Sequence, residues 1–144
     1  MKIQKATKKD LKEISELFLI ETAKAPYKQT WTKKTSAQKI QELYKRGEIY
    51  IVIDKKIILG FAALITSLGS KGKGAHLEEL WLKKEHQRKG IGTKLMKSLE
   101  STCKKKHLRN ISLVSDKNSK AFGFYKKLKY KDYPEDALMG KVLG

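Results

Sequence analysis

A single cysteine stands among 144 residues. Cys103 therefore excludes an internal disulfide framework, and with three histidines and no C-x-x-C pair a structural zinc site is not expected either. Cys103 falls near the apolar face of a helical stretch, where a thiol packs as a small hydrophobe. Long apolar runs are missing, since none approaches the roughly 20 residues that cross a bilayer. The opening Met1-Lys2-Ile3-Gln4-Lys5 is charged and carries no secretory signal, so no membrane partner and a cytoplasmic setting are expected. Acid is scarce: 15 Asp and Glu face 33 Lys and Arg, for a formal net charge of +18. Such a charge attracts polyanions and raises the alternative of a basic nucleic-acid-binding module. Arginine, however, is confined to Arg46, Arg88 and Arg109. Proteins that read base edges favour its planar fork. Lysine scattered over nearly every segment reads as a solvated surface, so nucleic acid is not the expected partner.

What is present is apolar material for one core. At 40% hydrophobic residues the chain can fold as a single domain over residues 1–144, with no internal repeat or interdomain linker. Residues 2–6 alternate weakly, as a first strand. Thr7-Lys8-Lys9-Asp10 is a capping box ahead of Leu11, Ile14, Leu17, Phe18 and Glu21 at helical spacing, and that helix ends near Ala25-Pro26. Thr35-Ser36-Ala37-Gln38 predicts a second cap, with Ile40, Leu43 and Tyr44 on one face and Gly47 as the stop. Residues 49–53 and 57–65 are dense in β-branched side chains and flank Asp54-Lys55-Lys56, a hairpin. The glycines of residues 69–74 read as a flexible hairpin connection, because no helix follows them. Residues 77–82 read as a strand. Residues 91–105 read as a helix, with Ile91, Leu95, Met96 and Leu99 inward and Lys94, Lys97, Lys104 and Lys105 outward. Residues 111–114 form a further strand, and residues 130–133 and 137–142 a closing hairpin around Pro134. A right-handed crossover joins the fourth and fifth strands in parallel.

The most informative stretch is Gln87-Arg88-Lys89-Gly90-Ile91-Gly92, between that fourth strand and the helix. The first N–H groups of a helix lack internal partners and the helix dipole favours negative charge there. Gly90 and Gly92 let backbone approach a phosphate, and Arg88 and Lys89 add cationic donors. A dinucleotide fingerprint would need glycine where Leu95 stands, and a P-loop would need G-K-[ST] where Gly92-Thr93-Lys94 has another order.

The pattern resembles the GNAT superfamily of N-acetyltransferases, whose acetyl-CoA motif Q/R-x-x-G-x-G/A follows the fourth strand. Gln87, Gly90 and Gly92 match it after Leu77-Glu78-Glu79-Leu80-Trp81-Leu82. A second block, with Asn118, Ala121, Phe124, Tyr125 and Lys127 in place, resembles the family's N-x-x-A-x-x-F/L-Y-x-K-x-G-F helix. Departures are Lys84 for the usual proline and Lys129 for a glycine. The resemblance implies an α/β (α+β) fold: a mixed, mostly antiparallel central sheet of six to seven strands, a parallel fourth–fifth pair and about four helices. It implies acetyl-CoA as cosubstrate, with pantetheine along Leu80, Trp81 and Leu82 and near Asn118. The phosphates fall on Gln87, Arg88, Lys89, Gly90, Ile91, Gly92 and Thr93. No metal is implied.

Acetyl transfer to an amine needs a deprotonated amine, a donor for the carbonyl oxygen and a proton for the departing thiolate. By resemblance Tyr125 is the proton donor, although a tyrosine on an apolar helix face is ordinarily core. Asn118, seven residues earlier, lies two turns away on one helical face and can also cap the helix. Glu78 and Glu79 are candidates for deprotonating the amine, and strand alternation sends them to opposite faces. His76 is a weaker base candidate. The resemblance places the oxyanion donor at a backbone N–H near Leu82. The acceptor is a small-molecule or peptide amine, met by a lip around Tyr27, Trp31 and residues 69–74. A homodimer through sheet edges is possible, and a CoA-binding regulatory domain without catalysis is the remaining alternative.

Overall fold

β-branched runs pair wherever a two-residue turn can close them, and this chain closes two such turns in succession. The computed structural model describes residues 1–144, which divide into two compact units, Met1–Leu113 and Val114–Gly144. In the first unit the order is β1 (Lys2–Lys5), α1 (Leu11–Ala23), α2 (Lys33–Arg46), β2 (Glu48–Asp54), β3 (Ile57–Gly69), β4 (Gly72–Leu82), α3 (Ile91–Lys105) and β5 (Ile111–Ser112). The five strands form one sheet in the order β1-β2-β3-β4-β5. β1 to β4 pair antiparallel, and β5 lies parallel to β4. The β2–β3 turn places Lys55 and Lys56 at φ 49° and 67°, the left-handed pair that matches the twist of a hairpin.

Strand alternation divides the core into two faces. One carries Ile49, Ile51, Ile58, Phe61 and Ala63, packed with Ile14, Leu17 and Phe18 of α1 and Ile40 and Leu43 of α2. The other carries Tyr50, Val52, Ala62, Leu64 and Leu77, all buried. α3 buries Ile91, Leu95, Met96, Leu99 and Cys103 and leaves Lys94, Lys97, Lys104 and Lys105 in water, so its amphipathic stripe matches this second face. Cys103 is a packed thiol whose pKa burial pushes up.

Helix limits follow local chemistry. The Thr7 capping box forms, with the Thr7 N–H donating to Asp10 Oδ2 at 2.8 Å. The second helix starts a turn earlier than the Thr35 cap predicts: Thr32 caps α2, its Oγ1 accepting the Thr35 N–H at 3.0 Å. Gly47 ends α2, and a Cβ there would lie 2.0 Å from the Leu64 carbonyl oxygen, so the close passage of β3 requires glycine.

Three expectations change. The glycines of residues 69–74 do not form a loose connection; β3 and β4 pair through Gly69↔Gly72, leaving Ser70 and Lys71 as the turn. β5 is two residues long rather than four. The sheet has five strands, not six to seven. The missing strands are those of the closing hairpin, because residues 130–144 form no helix or strand. Residues 129–136 are largely charged, and Leu138, Met139, Val142 and Leu143 are all about 90% exposed. A two-stranded hairpin with no apolar face to bury is marginal in water. The second unit's one helix is α4 (Lys120–Lys127), which makes four helices in all.

β1, β2 and the end of α3 are tied by Glu48, which pairs with Lys5 at 2.8 Å and with Lys106. Burial works to raise the Glu48 carboxyl, but hydrogen bonds from Lys106 and Lys5 outweigh it and hold its pKa at about 2. A depressed carboxyl stabilises the fold above its unfolded pKa, and that stability is lost as pH falls through the folded one. Glu48→Gln should therefore lower the melting temperature at pH 7. The gap from wild type should narrow steadily from about pH 4.5 to about pH 2 in a thermal-melt series.

Candidate active site

β4 loses its neighbour halfway along. Its pairing with β5 consists of Ala75↔Ile111 and His76↔Ser112, and the His76 ring closes the last rung, Nδ1 lying 2.8 Å from Ser112 Oγ. On the other side Leu64 pairs with Leu77 but Ala63 with Glu79, so Glu78 is the extra residue of a β-bulge. The bulge re-aims the strand just where β5 stops. Strict alternation does not hold across the bulge, so the pleat by itself does not assign Glu78 and Glu79 to opposite faces. Glu79 and Trp81, paired with Ala63 and Phe61, share the α1–α2 face.

The backbone beyond the bulge can be oriented. The Lys83 N–H donates to the Leu59 carbonyl of β3 at 2.9 Å, and backbone direction alternates along a strand. Trp81 therefore turns its backbone groups toward β3, and Leu80 and Leu82 turn theirs to the edge that β5 has left. The Gln87 side-chain amide donates to the Leu82 carbonyl at 3.1 Å. That bond draws the loop of residues 83–90 back along the open edge.

At the end of this loop Gly90 adopts φ 79°, ψ 3° as the N-cap of α3, a left-handed conformation that suits glycine. Its carbonyl accepts the Lys94 N–H at 3.1 Å, and no side chain caps the helix. The Ile91, Gly92 and Thr93 amides thus precede the helical ladder, with the positive end of the dipole behind them. Arg88 and Lys89 beside them are exposed. The open edge of β4 and the start of α3 together offer aligned backbone donors and a concentration of positive charge. That arrangement can hold an extended amide chain and a pyrophosphate.

Glu21, a buried residue on the apolar side of α1, supports the same loop. Its Oε1 accepts the Lys84 N–H at 3.1 Å and its Oε2 takes Lys24 Nζ at 2.8 Å. Proline at position 84 would carry no N–H; lysine does, and Glu21 satisfies it. Sequence reading placed Glu21 on the helix face without this role.

Glu79 is bound by the Trp81 indole N–H at 2.7 Å. Burial pushes its carboxyl up, against the opposing pull of that bond and of Lys39. Trp81 lies edge-to-face with Tyr27 at 4.9 Å and with Phe18 at 6.2 Å, and Phe18 meets Trp31 at 4.9 Å. The expected lip residues Tyr27 and Trp31 thus join β4 in one aromatic cluster, whereas residues 69–74 lie at the far end of that strand.

In the second unit, Asn118 is not the cap. Ser119 caps α4, its Oγ accepting the Phe122 N–H at 3.2 Å, and the Asn118 N–H donates to Asp116 Oδ1 at 2.9 Å. Asn118 precedes the helix, so it does not share a helical face with Tyr125. The Tyr125 ring packs on Phe124 at 5.1 Å and on Tyr130 at 5.9 Å.

The fold is that of solved acetyltransferases. A possible acetyltransferase from Clostridium difficile 630 superposes with a TM-score of 0.86 at 17% identity, over 99% of this chain and 98% of its own. A probable acetyltransferase gives 0.84 at 18%, covering 100% and 99%. The ribosomal-protein-alanine N-acetyltransferase from Brucella melitensis biovar Abortus 2308 gives 0.78 at 12%, covering 99% and 100%. No curated protein matches in sequence. The profile of the acetyltransferase (GNAT) family matches residues 14–130, and the chain belongs to that family of acyltransferases.

Glu21→Leu should destabilise the fold by about 1–3 kcal/mol, because the Lys84 N–H is left without its acceptor. Adding Lys84→Pro removes the donor where Lys83, at φ −55° and ψ 136°, already has the backbone a following proline prefers. Chemical denaturation of the single and double variants should show the double recovering most of the loss. Purely additive losses would contradict the role given to Glu21.

Proposed function

We propose that the two units act as one acetyltransferase domain, which moves the acetyl group of acetyl-CoA to a primary amine by direct attack in a ternary complex. The observation that carries this reading is the open edge of β4 running into the uncapped start of α3. Pantetheine pairs with the backbone of Leu80 and Leu82 as an added strand alongside Trp81, and the phosphates rest on Gly90, Ile91, Gly92 and Thr93 with Gln87, Arg88 and Lys89 around them. The net charge of +18 favours approach of a polyanionic cosubstrate.

An ammonium near its ordinary pKa of about 10 has no lone pair to attack with. Glu79 takes that proton, directly or through water. A carboxyl raised by burial is better matched to a base working near neutral pH. Its side chain flanks the backbone of Leu80, one residue or about 3.3 Å along the strand. The Leu82 N–H, on the open edge, stabilises the oxyanion. Tyr125 supplies the proton to the departing thiolate, and Asn118 approaches pantetheine. Glu78, the bulge residue, shapes the strand.

Free-thiol release from acetyl-CoA on an amine acceptor tests these roles. Tyr125→Phe should lose about 10²- to 10⁴-fold in turnover with acetyl-CoA affinity nearly unchanged, and less with donors whose leaving thiol is more acidic. Glu79→Gln should lose rate most near neutral pH, where the carboxylate is ionised and the amine still protonated, whereas Glu78→Gln should stay within about threefold of wild type. Normal turnover in Tyr125→Phe would return that tyrosine to a packing role.

A further inference from the structure

The aromatic cluster beside β4 exceeds what the core needs. Phe18 is fully buried and Trp31 half-buried, yet Tyr27 is 46% exposed while standing edge-to-face on Trp81 at 4.9 Å. Trp81 in turn holds Glu79 through its indole N–H. Only one carboxylate oxygen is engaged by that bond, and the other remains to accept from a ligand. An aromatic surface, a carboxylate and the open edge of β4 therefore meet within three consecutive residues of one strand, 79–81, and one loop residue. The charge around them is mixed, because Glu78 lies close enough to act on Glu79. Glu21 is already matched by Lys24, Lys39 acts on Glu79, and Lys28, Lys83 and Lys84 are neighbours in sequence of Tyr27 and Trp81.

Resting on the acetyltransferase reading, we propose that the acceptor is a primary amine carried on an aromatic body. Its ring packs on Tyr27 and Trp81, and its nitrogen is directed at Glu79. Tyr27 and Trp81 supply apolar area and ring faces attractive to an ammonium. The available Glu79 oxygen meets the ammonium, and Glu78 beside it adds to the negative potential. A linear polyamine offers no ring to cover Tyr27 and Trp81 and forgoes that apolar contact. In the acetyl transfer the ammonium gives one proton to Glu79, the freed lone pair forms the new C–N bond, and the C–S bond breaks. The nitrogen's second proton passes to water and the thiolate takes a proton from Tyr125, so that one proton is released overall.

Initial rates with acetyl-CoA on phenethylamine, spermidine and a short peptide with a free N-terminus test this choice. Phenethylamine should give a kcat/KM at least about tenfold above either of the others. Tyr27→Ala should raise its KM by about tenfold with kcat unchanged, and Tyr27→Phe should restore it. Acetyl-CoA should raise the melting temperature of wild type and of both variants equally. Preference for spermidine or the peptide, no transfer to phenethylamine, or an unchanged KM in Tyr27→Ala would each overturn the aromatic-amine proposal. In those cases a persisting acetyl-CoA shift leaves the acetyltransferase reading standing, and loss of that shift in the wild-type protein would overturn both.

Discussion

Backbone groups that leave a sheet ladder must find another partner or face water, and β4 meets that constraint between Leu77 and Leu82. β3 keeps one edge satisfied. β5 stops at Ser112, and the bulge at Glu78 turns the strand at the same point. Everything placed around this edge serves it or depends on it. Gln87 folds back onto the Leu82 carbonyl, Gly90 takes the left-handed conformation that starts α3, and the first amides of α3 continue the run of unpaired donors. The edge runs from the strand into the helix N-terminus, so one ligand with an amide chain and a pyrophosphate can satisfy both.

Charge is distributed to the same end. Lysine covers the surface, while several of the few glutamates are turned inward onto specific donors. Glu13 accepts the Ile58 N–H, Glu21 the Lys84 N–H, Glu48 joins Lys5 and Lys106, and Glu79 takes the Trp81 indole. Three of the four tie elements of the scaffold together; Glu79 binds only its strand neighbour and keeps an oxygen for other chemistry. Spending acid on these ties leaves the exterior strongly positive, a field that draws in polyanions.

Local signals carried much of this architecture. α3 spans the residues its amphipathic period predicts, and the glycine motif lies at its start because a helix N-terminus, a tight turn and close backbone approach are all properties of neighbouring residues. The β2–β3 hairpin was equally legible from two β-branched runs around Asp54-Lys55-Lys56. The cap of α2 was not, because Thr32 and Thr35 are equivalent cap residues and both take part in the one capping box. Ser119 displaced Asn118 at α4 for the same reason. The bulge had a faint signature: Leu77, Leu80 and Leu82 cannot share a face in a regular strand. The role of Glu21 depends on a partner 63 residues away, which no local pattern reveals. The closing hairpin failed because alternation in residues 137–142 is poor and nothing in residues 130–136 offers an apolar face.

Acetyl-CoA bound as proposed, along the open edge of β4 and the start of α3, would leave its mark on the backbone amides there. Amide chemical shifts and hydrogen-exchange rates, followed residue by residue while acetyl-CoA is added, test that placement most directly. Bound acetyl-CoA should shift and protect the amides of Leu80 and Leu82 together with those of Ile91, Gly92 and Thr93, leaving the β1–β2 amides unchanged. Protection confined to other parts of the chain, or shifts at α3 without any at Leu80 and Leu82, would contradict that placement.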